Sequence, residues 1–129
     1  VEAALAASQP GDTVAVRSGN YPQTRPILVK IPVLIMGEGY PVFDFQHQSA
    51  GFVVSAPDVV IEGLAIRHIR QSSMEDLAGI RVENAARFTA RNNRLTDAFF
   101  GIYLANSDHA LIEGNVLDGL AKLERNAGN

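Results

Sequence analysis

Residues 79–84 read Gly-Ile-Arg-Val-Glu-Asn, and residues 93–95 read Asn-Arg-Leu. The same pattern returns 22 residues later as Gly-Ile-Tyr-Leu-Ala-Asn at 101–106 and Asn-Val-Leu at 115–117. A fixed period of roughly twenty residues, with alternating apolar positions and glycine or asparagine corners, is typical of stacked β-solenoid coils. The repeat therefore predicts an all-β fold built from parallel coils.

Alignment on this period gives three repeat units, at residues 51–68, 79–97 and 101–119. Alternation within each unit predicts which side chains stack inward from coil to coil. The predicted inward columns are Phe52/Ile80/Ile102, Val54/Val82/Leu104, Val59/Phe88/Ala110, Ile61/Ala90/Ile112 and Ile66/Leu95/Leu117. Asn84 with Asn106, and Asn93 with Asn115, are interpreted as structural asparagine ladders at the corners.

The alanine-rich residues 1–8 predict a short helix that ends at Gln9-Pro10-Gly11 and caps the first coil. Residues 13–45 contain period-two strands, and the regular stack is expected to start at Gly51. We expect residues 1–129 to be a single N-terminal portion of a β-helix domain whose coils continue beyond residue 129. An open last coil leaves strand edges unpaired, so this chain is expected to self-associate.

The period is interrupted after the first repeat unit. A seven-residue excess within residues 69–77 predicts a loop that leaves the coil, and residues 120–129 are expected to begin a second excursion. Insertions in solenoids map to surface loops that often carry binding.

Composition excludes several classes of function. The net charge of −3 argues against a nucleic-acid partner, and no apolar stretch is long enough to span a membrane. The chain has no cysteine, which excludes disulfides, thiol catalysis and cysteine-ligated zinc.

The coil alignment also predicts which polar residues meet. Glu62, Arg91 and Glu113 should form an exposed ion-pair column, and Asp58, Arg87 and His109 a second one. His68 should lie beside Asp97, whereas Asp44 is expected to stand alone. Neither His68 nor His109 is expected to have a second nitrogen or sulfur ligand in its own column.

Imidazole and thioether donors suit copper, and the chain offers three histidines and two methionines. His68, Met74 and His109 are the candidate copper ligands; Met36 is interpreted as core, and His47 is a further donor. No catalytic and no other cofactor-binding residues are predicted, because neither a carboxylate pair nor a base with a uronate-neutralising cation appears in the columns.

Two sets of motifs carry a family resemblance. Residues 10–14 (Pro-Gly-Asp-Thr-Val) with 19–21 (Gly-Asn-Tyr) look like the opening of right-handed, single-stranded parallel β-helices of the pectate-lyase-like type. A more specific set resembles the NosD family, namely residues 61–66, 75–82, 92–95 and 99–104 in that order and spacing.

The resemblance to NosD implies a periplasmic accessory protein that is not an enzyme. Such a protein works with an ABC transporter and copper chaperones to mature the copper centres of nitrous oxide reductase. Two alternatives stay open: a carbohydrate-active β-helix enzyme, lyase or hydrolase, with catalytic coils downstream, and a purely structural or adhesive solenoid. The predicted loop at residues 69–77 argues against the last of these.

Overall fold

The computed structural model is a parallel β-solenoid with a short N-terminal helix, as the repeat predicts. It describes residues 1–72, 74–75, 77–98 and 100–118, together with the backbone of residues 123–126. Its elements are α1 (Glu2–Ala7), β1 (Thr13–Val16), β2 (Asn20–Pro22), β3 (Ile27–Val29), β4 (Leu34–Gly37), β5 (Val42–Asp44), β6 (Phe52–Val54), β7 (Val60–Glu62), β8 (Ala65–Arg67), β9 (Ala78–Glu83), β10 (Thr89–Arg91), β11 (Arg94–Thr96), β12 (Phe100–Ala105), β13 (Leu111–Glu113), β14 (Val116–Asp118) and β15 (Leu123–Asn126).

Three parallel sheets form the sides of the solenoid. Sheet A has the order β1-β4-β7-β10-β13, sheet B the order β2-β5-β8-β11-β14, and sheet C the order β3-β6-β9-β12-β15. Each coil gives one strand to each sheet, so successive coils differ by three in strand number. Residues at matching positions of successive coils are therefore direct neighbours.

The predicted inward columns form the core. Phe52 pairs with Ile80 and Ile80 with Ile102, and all three side chains are fully buried. The outward position between the columns holds Arg81 and Tyr103, and the Arg81 guanidinium lies 4.8 Å from the Tyr103 ring centroid. Alternation thus predicts the inward positions, but the outward Tyr103 is also buried, because Arg81 and Phe100 pack against its ring.

One of the two predicted asparagine ladders is present. Asn93 is fully buried, and its Nδ2 donates hydrogen bonds to Ile61 O and Asn115 Oδ1, each at 3.0 Å. Among the described residues, no side-chain hydrogen bond joins Asn84 and Asn106. Both are exposed and have left-handed backbones, with φ of 49° and 55°, a conformation that asparagine tolerates.

Helix α1 covers the first coil, as predicted. Leu5 is its buried residue and joins the hydrophobic core. Among the described residues, no helix is long and apolar enough to cross a membrane.

The expectation that the regular stack starts at Gly51 is wrong. β1 pairs with β4 and β4 with β7, so the register of sheet A is continuous from Thr13. Strand β2 likewise pairs with β5, so sheet B is continuous from Asn20. Within this pair Tyr21 stacks on Phe43, with ring centroids 5.3 Å apart.

The two predicted excursions have different outcomes. Residues 68–77 separate β8 from β9, whereas residues 97–99 separate β11 from β12, which confirms the first loop. A second excursion over residues 120–129 is wrong for residues 123–126, because β15 pairs in parallel with β12. The remainder of that segment lies outside the described residues.

Candidate metal centre

Two histidines and an aspartate from three successive coils meet at the corner between sheets B and C. His47 follows β5, His68 follows β8, and Asp97 follows β11. The backbone ladder continues through this corner, since His47 N donates to His68 O at 2.8 Å and Ile69 N to Asp97 O at 3.1 Å. The parallel stack therefore holds the three residues next to one another.

All three residues have left-handed backbone conformations. Their φ angles are 58° for His47, 59° for His68 and 53° for Asp97. Histidine and aspartate are among the non-glycine residues that tolerate this region. The chain turns here from sheet B to sheet C, while the buried Phe45, Ile69 and Ala98 anchor the corner to the core.

The polar atoms of the cluster are close enough to share one ligand. His47 Nε2 lies 2.7 Å from Asp97 Oδ2, and His68 Nε2 lies 3.8 Å from the same oxygen. The two imidazole rings are 4.8 Å apart between centroids and inclined by 35°. One ligand atom from each of the three residues falls within a group no wider than 4.8 Å.

Asp44 supports this cluster from the end of β5. Its Oδ1 lies 2.9 Å from His68 Nδ1, and Arg67 Nε lies 3.6 Å from its Oδ2. Burial acts to raise the pKa of the Asp44 carboxyl. Hydrogen bonds from Gln46 N–H and His68, with the charges of His68 and Arg67, nevertheless hold that pKa below its usual range. An ionised carboxylate only accepts hydrogen bonds, so His68 donates from Nδ1.

This arrangement can bind a metal ion. A neutral His68 that donates from Nδ1 keeps its lone pair on Nε2, the atom that faces Asp97. A tetrahedral ion with bonds of about 2.0–2.1 Å places its ligand atoms about 3.3 Å apart. The separations of 2.7 and 3.8 Å from Asp97 bracket this value, and the whole group is no wider than 4.8 Å, so side-chain rotations of the histidines would bring the three atoms around one ion.

The structure confirms one predicted contact here and corrects two expectations. His68 does lie beside Asp97. Asp44 does not stand alone, because it bonds to His68. The expectation that His68 lacks a second nitrogen donor nearby is also wrong, because His47 is beside it. The sequence held a signal for this contact. Alignment of Val-Phe-Asp in β5 with Ala-Ile-Arg in β8 pairs Asp44 with Arg67, the residue directly before His68.

Of the three candidate copper ligands, the structure brings only His68 into this cluster. Met74 lies in the loop after β8 with a side chain that is 90% exposed, and its backbone N–H bonds to Ser72 Oγ. His109 lies at the corner between sheets C and A, where its φ is 59°. The cluster found among the described residues thus combines His68 with His47 and Asp97.

The other predicted polar columns are ion pairs. Arg91 lies 3.7 Å from Glu62 and 3.8 Å from Glu113, which confirms the alternating column. In the second column Arg87 donates two hydrogen bonds to Asp58, at 2.6 and 3.0 Å. Arg87 and Asp58 satisfy one another, whereas the contacts of Arg91 are ion pairs longer than a hydrogen bond, and its Nε is buried with no hydrogen-bond partner among the described residues. Within the part of the chain that the structure describes, neither column brings together three groups that could hold a metal ion, as the corner cluster does.

Comparison of the chain with protein-family models, curated proteins and solved structures gave no match. The functional assignment therefore rests on the corner cluster, on the loop beside it and on the sequence motifs.

Proposed function

We propose that this chain is a non-catalytic accessory protein that handles copper during maturation of the copper centres of nitrous oxide reductase. In this proposal it works in the periplasm with an ABC transporter and copper chaperones. The observation that carries the proposal is the cluster of His47, His68 and Asp97 at one corner of the solenoid. The NosD-like motifs in the sequence point to the same role.

The donor set fits copper. Imidazole nitrogen is a common ligand of copper, and carboxylate oxygen can complete a site with nitrogen and oxygen ligands. His47 and His68 would hold the ion, with Asp97 compensating part of its charge. Two imidazoles and one carboxylate leave room in the coordination sphere, as transfer to another protein requires.

The position of the cluster fits an accessory role. His68 is the first residue of the segment between β8 and β9, so the cluster lies at the base of the long loop. Loops on a rigid scaffold are the usual places for contacts with partner proteins. A partner bound to this loop would be adjacent to the ion.

The test is the copper content of nitrous oxide reductase from cells whose only copy of this protein carries His68→Asn. We expect copper-poor reductase, and His109→Asn is the matched control that should give normal copper content. The unaltered protein should also co-purify with transporter subunits. Normal reductase copper in the His68→Asn cells, or a protein that engages neither transporter nor reductase, would overturn the proposal.

A second function is favoured by one contact, the 2.7 Å hydrogen bond between His47 and Asp97. A carboxylate that orients an imidazole is a general-base arrangement, which a polysaccharide lyase or hydrolase would use. Incubation with a panel of polysaccharides should then release unsaturated uronates or new reducing ends. Loss of that release in Asp97→Asn would assign the chemistry to this corner.

A further inference from the structure

We infer that the corner binds a divalent first-row transition ion through His47 Nε2, His68 Nε2 and the Asp97 carboxylate, with Asp44 as a positioning residue. The inference rests on the proposed function, because it takes the same corner as the metal site. It adds the oxidation state of the ion, the ligand atoms and the role of Asp44.

The donor types select the divalent state. Two imidazoles and a carboxylate are borderline and hard donors, which suit Cu²⁺, Zn²⁺ and Ni²⁺, whereas Cu⁺ prefers thiolate and thioether sulfur. The chain has no cysteine. Its methionines are elsewhere, and the Met74 side chain is 90% exposed. Met36 is only half-buried and pairs with Glu62 in sheet A, so its interpretation as a core residue is wrong: Ile35, its neighbour on the strand, takes the inward position.

The hydrogen bonds define the ligand atoms. Asp44 accepts from His68 Nδ1, so the other ring nitrogen, Nε2, is the atom through which His68 would bind an ion, and it lies 3.8 Å from Asp97 Oδ2. His47 presents its Nε2 to that oxygen at 2.7 Å. An ion among the three atoms would replace the proton that His47 and Asp97 share and would recruit His68 through a short side-chain movement.

Asp44 acts on the ion through His68. A carboxylate that accepts from the distal nitrogen of a metal-bound histidine fixes the tautomer and the ring orientation and makes the ligand more basic. Asp44 is itself held in place, since its side chain is 17% exposed, its Oδ1 accepts from Gln46 N–H at 2.9 Å, and Arg67 lies near its Oδ2. It is a positioning residue, and its oxygens bond away from the ion.

The site is open to exchange. The side chains of His47, Asp97 and His68 are 56%, 41% and 35% exposed. Three protein ligands leave at least one coordination position for water or for a ligand from another protein, as in metal sites that exchange or react. The geometry therefore fits an ion that is received and passed on.

Asparagine is the best replacement in the test, because His47, His68, Asp97 and His109 all have φ near +55° and asparagine tolerates that conformation. Titration of the purified protein with Cu²⁺, Zn²⁺ and Ni²⁺ by calorimetry should show one site. His47→Asn, His68→Asn and Asp97→Asn should each weaken that site by about 10-fold or more. His109→Asn should leave the affinity unchanged, and circular dichroism should show every variant folded.

The Asp44 variants separate positioning from ligation. Asp44→Ala should weaken binding about 10- to 100-fold. Asp44→Asn should restore part of the affinity, because an amide oxygen can still accept from His68 Nδ1. Electron paramagnetic resonance of bound Cu²⁺ should report two nitrogen ligands in the unaltered protein and in both Asp44 variants, but one in His68→Asn.

Three results would overturn the inference: no divalent ion binds, only Cu⁺ binds, or affinity depends on His109 and not on His47 and His68. These failures are separate from failure of the proposed function. Divalent binding that needs His68, together with normal reductase copper in His68→Asn cells, supports the inference and overturns the copper-maturation role. If the protein binds only Cu⁺ and the His68→Asn cells contain copper-poor reductase, the inference is overturned and the copper-maturation role is supported.

Discussion

Asn93 lies directly beside Asn115 of the next coil, and Asn115 Oδ1 accepts hydrogen bonds from both the side-chain and the backbone nitrogen of Asn93, each at 3.0 Å. Asn93 Oδ1 in turn accepts from Leu64 N of the preceding coil at 3.0 Å. The buried Asn93 side chain thus satisfies Leu64 N–H at the bend between sheets A and B and adds a hydrogen bond to Ile61 O. The contact joins three coils.

Replacement of Asn93 by alanine should destabilise the protein strongly. The change leaves Leu64 N–H buried without its partner and removes hydrogen bonds to Ile61 O and Asn115 Oδ1, and we expect a loss of about 2 kcal/mol in the free energy of unfolding. Urea denaturation measures this loss. Asn84→Gly, at an exposed corner with φ of 49°, is the control and should change stability by less than about 0.5 kcal/mol. Equal effects of the two changes would show that the ladder does not stabilise the bend.

Gly51→Ala should be destabilised by a backbone clash. A Cβ on Gly51 would overlap the carbonyl oxygen of Gly79 in the next coil, and we expect a loss of about 3 kcal/mol. Gly11→Ala is the control for conformational strain without a clash. Gly11 has φ of 91°, and beyond its two chain neighbours a Cβ added there would meet no atom of the described residues within 4 Å. That control should lose about 1 kcal/mol. The comparison is made by thermal or urea unfolding, and a larger loss in the control would contradict the clash.

Asp58 should titrate below its usual range. The hydrogen bonds from Arg87 lower the pKa of the Asp58 carboxyl, with the Arg87 charge acting in the same direction and desolvation opposing. A depressed folded-state pKa stabilises the protein above the unfolded pKa, and that contribution is lost as pH falls through the folded pKa. NMR titration of Asp58 should therefore show its pKa rising in Arg87→Asn. The difference in unfolding free energy between the unaltered protein and Arg87→Asn should shrink in acid. If the pKa of Asp58 is the same in both proteins, Arg87 does not control it.

The outer edge of β14 is expected to pair with a second copy of this chain. Val116 lies on β14, the end strand of sheet B as described, and its side chain is 49% exposed. A lysine on an edge strand opposes pairing with another chain, so Val116→Lys should lower the association constant. Sedimentation velocity measures both proteins. A monodisperse monomer of the unaltered chain at all concentrations would exclude this contact.

The repeat predicted the columns because stacking at ~4.8 Å forces equivalent residues together. This is why the contacts of Asn93 with Asn115 and of His68 with Asp97 follow from sequence alone. The first two coils were harder to recognise, since prolines and glycines near β2 interrupt the alternation on which strand prediction depends.

The metal cluster could be predicted only in part, for a geometric reason. His68 and Asp97 are equivalent positions of two aligned repeat units. His47 belongs to a corner that is longer: residues 45–51 join β5 to β6, whereas residues 97–99 are enough to join β11 to β12 two coils later. Extra residues at a corner change sequence spacing without moving the flanking strands, so periodicity places Asp44 and His47 poorly. Their contacts require three-dimensional coordinates.

The long loop between β8 and β9 begins and ends within one coil. Its first residues remain part of the stack, since Ile69 N bonds to Asp97 O and Arg70 N to Ser49 O. Strands β8 and β9 on either side of the loop keep their pairing with the neighbouring coils, so the scaffold fixes both ends of the loop. A loop held at both ends in this way can change in length and sequence without any adjustment of the scaffold. The neighbouring histidine corner would keep its geometry through such changes.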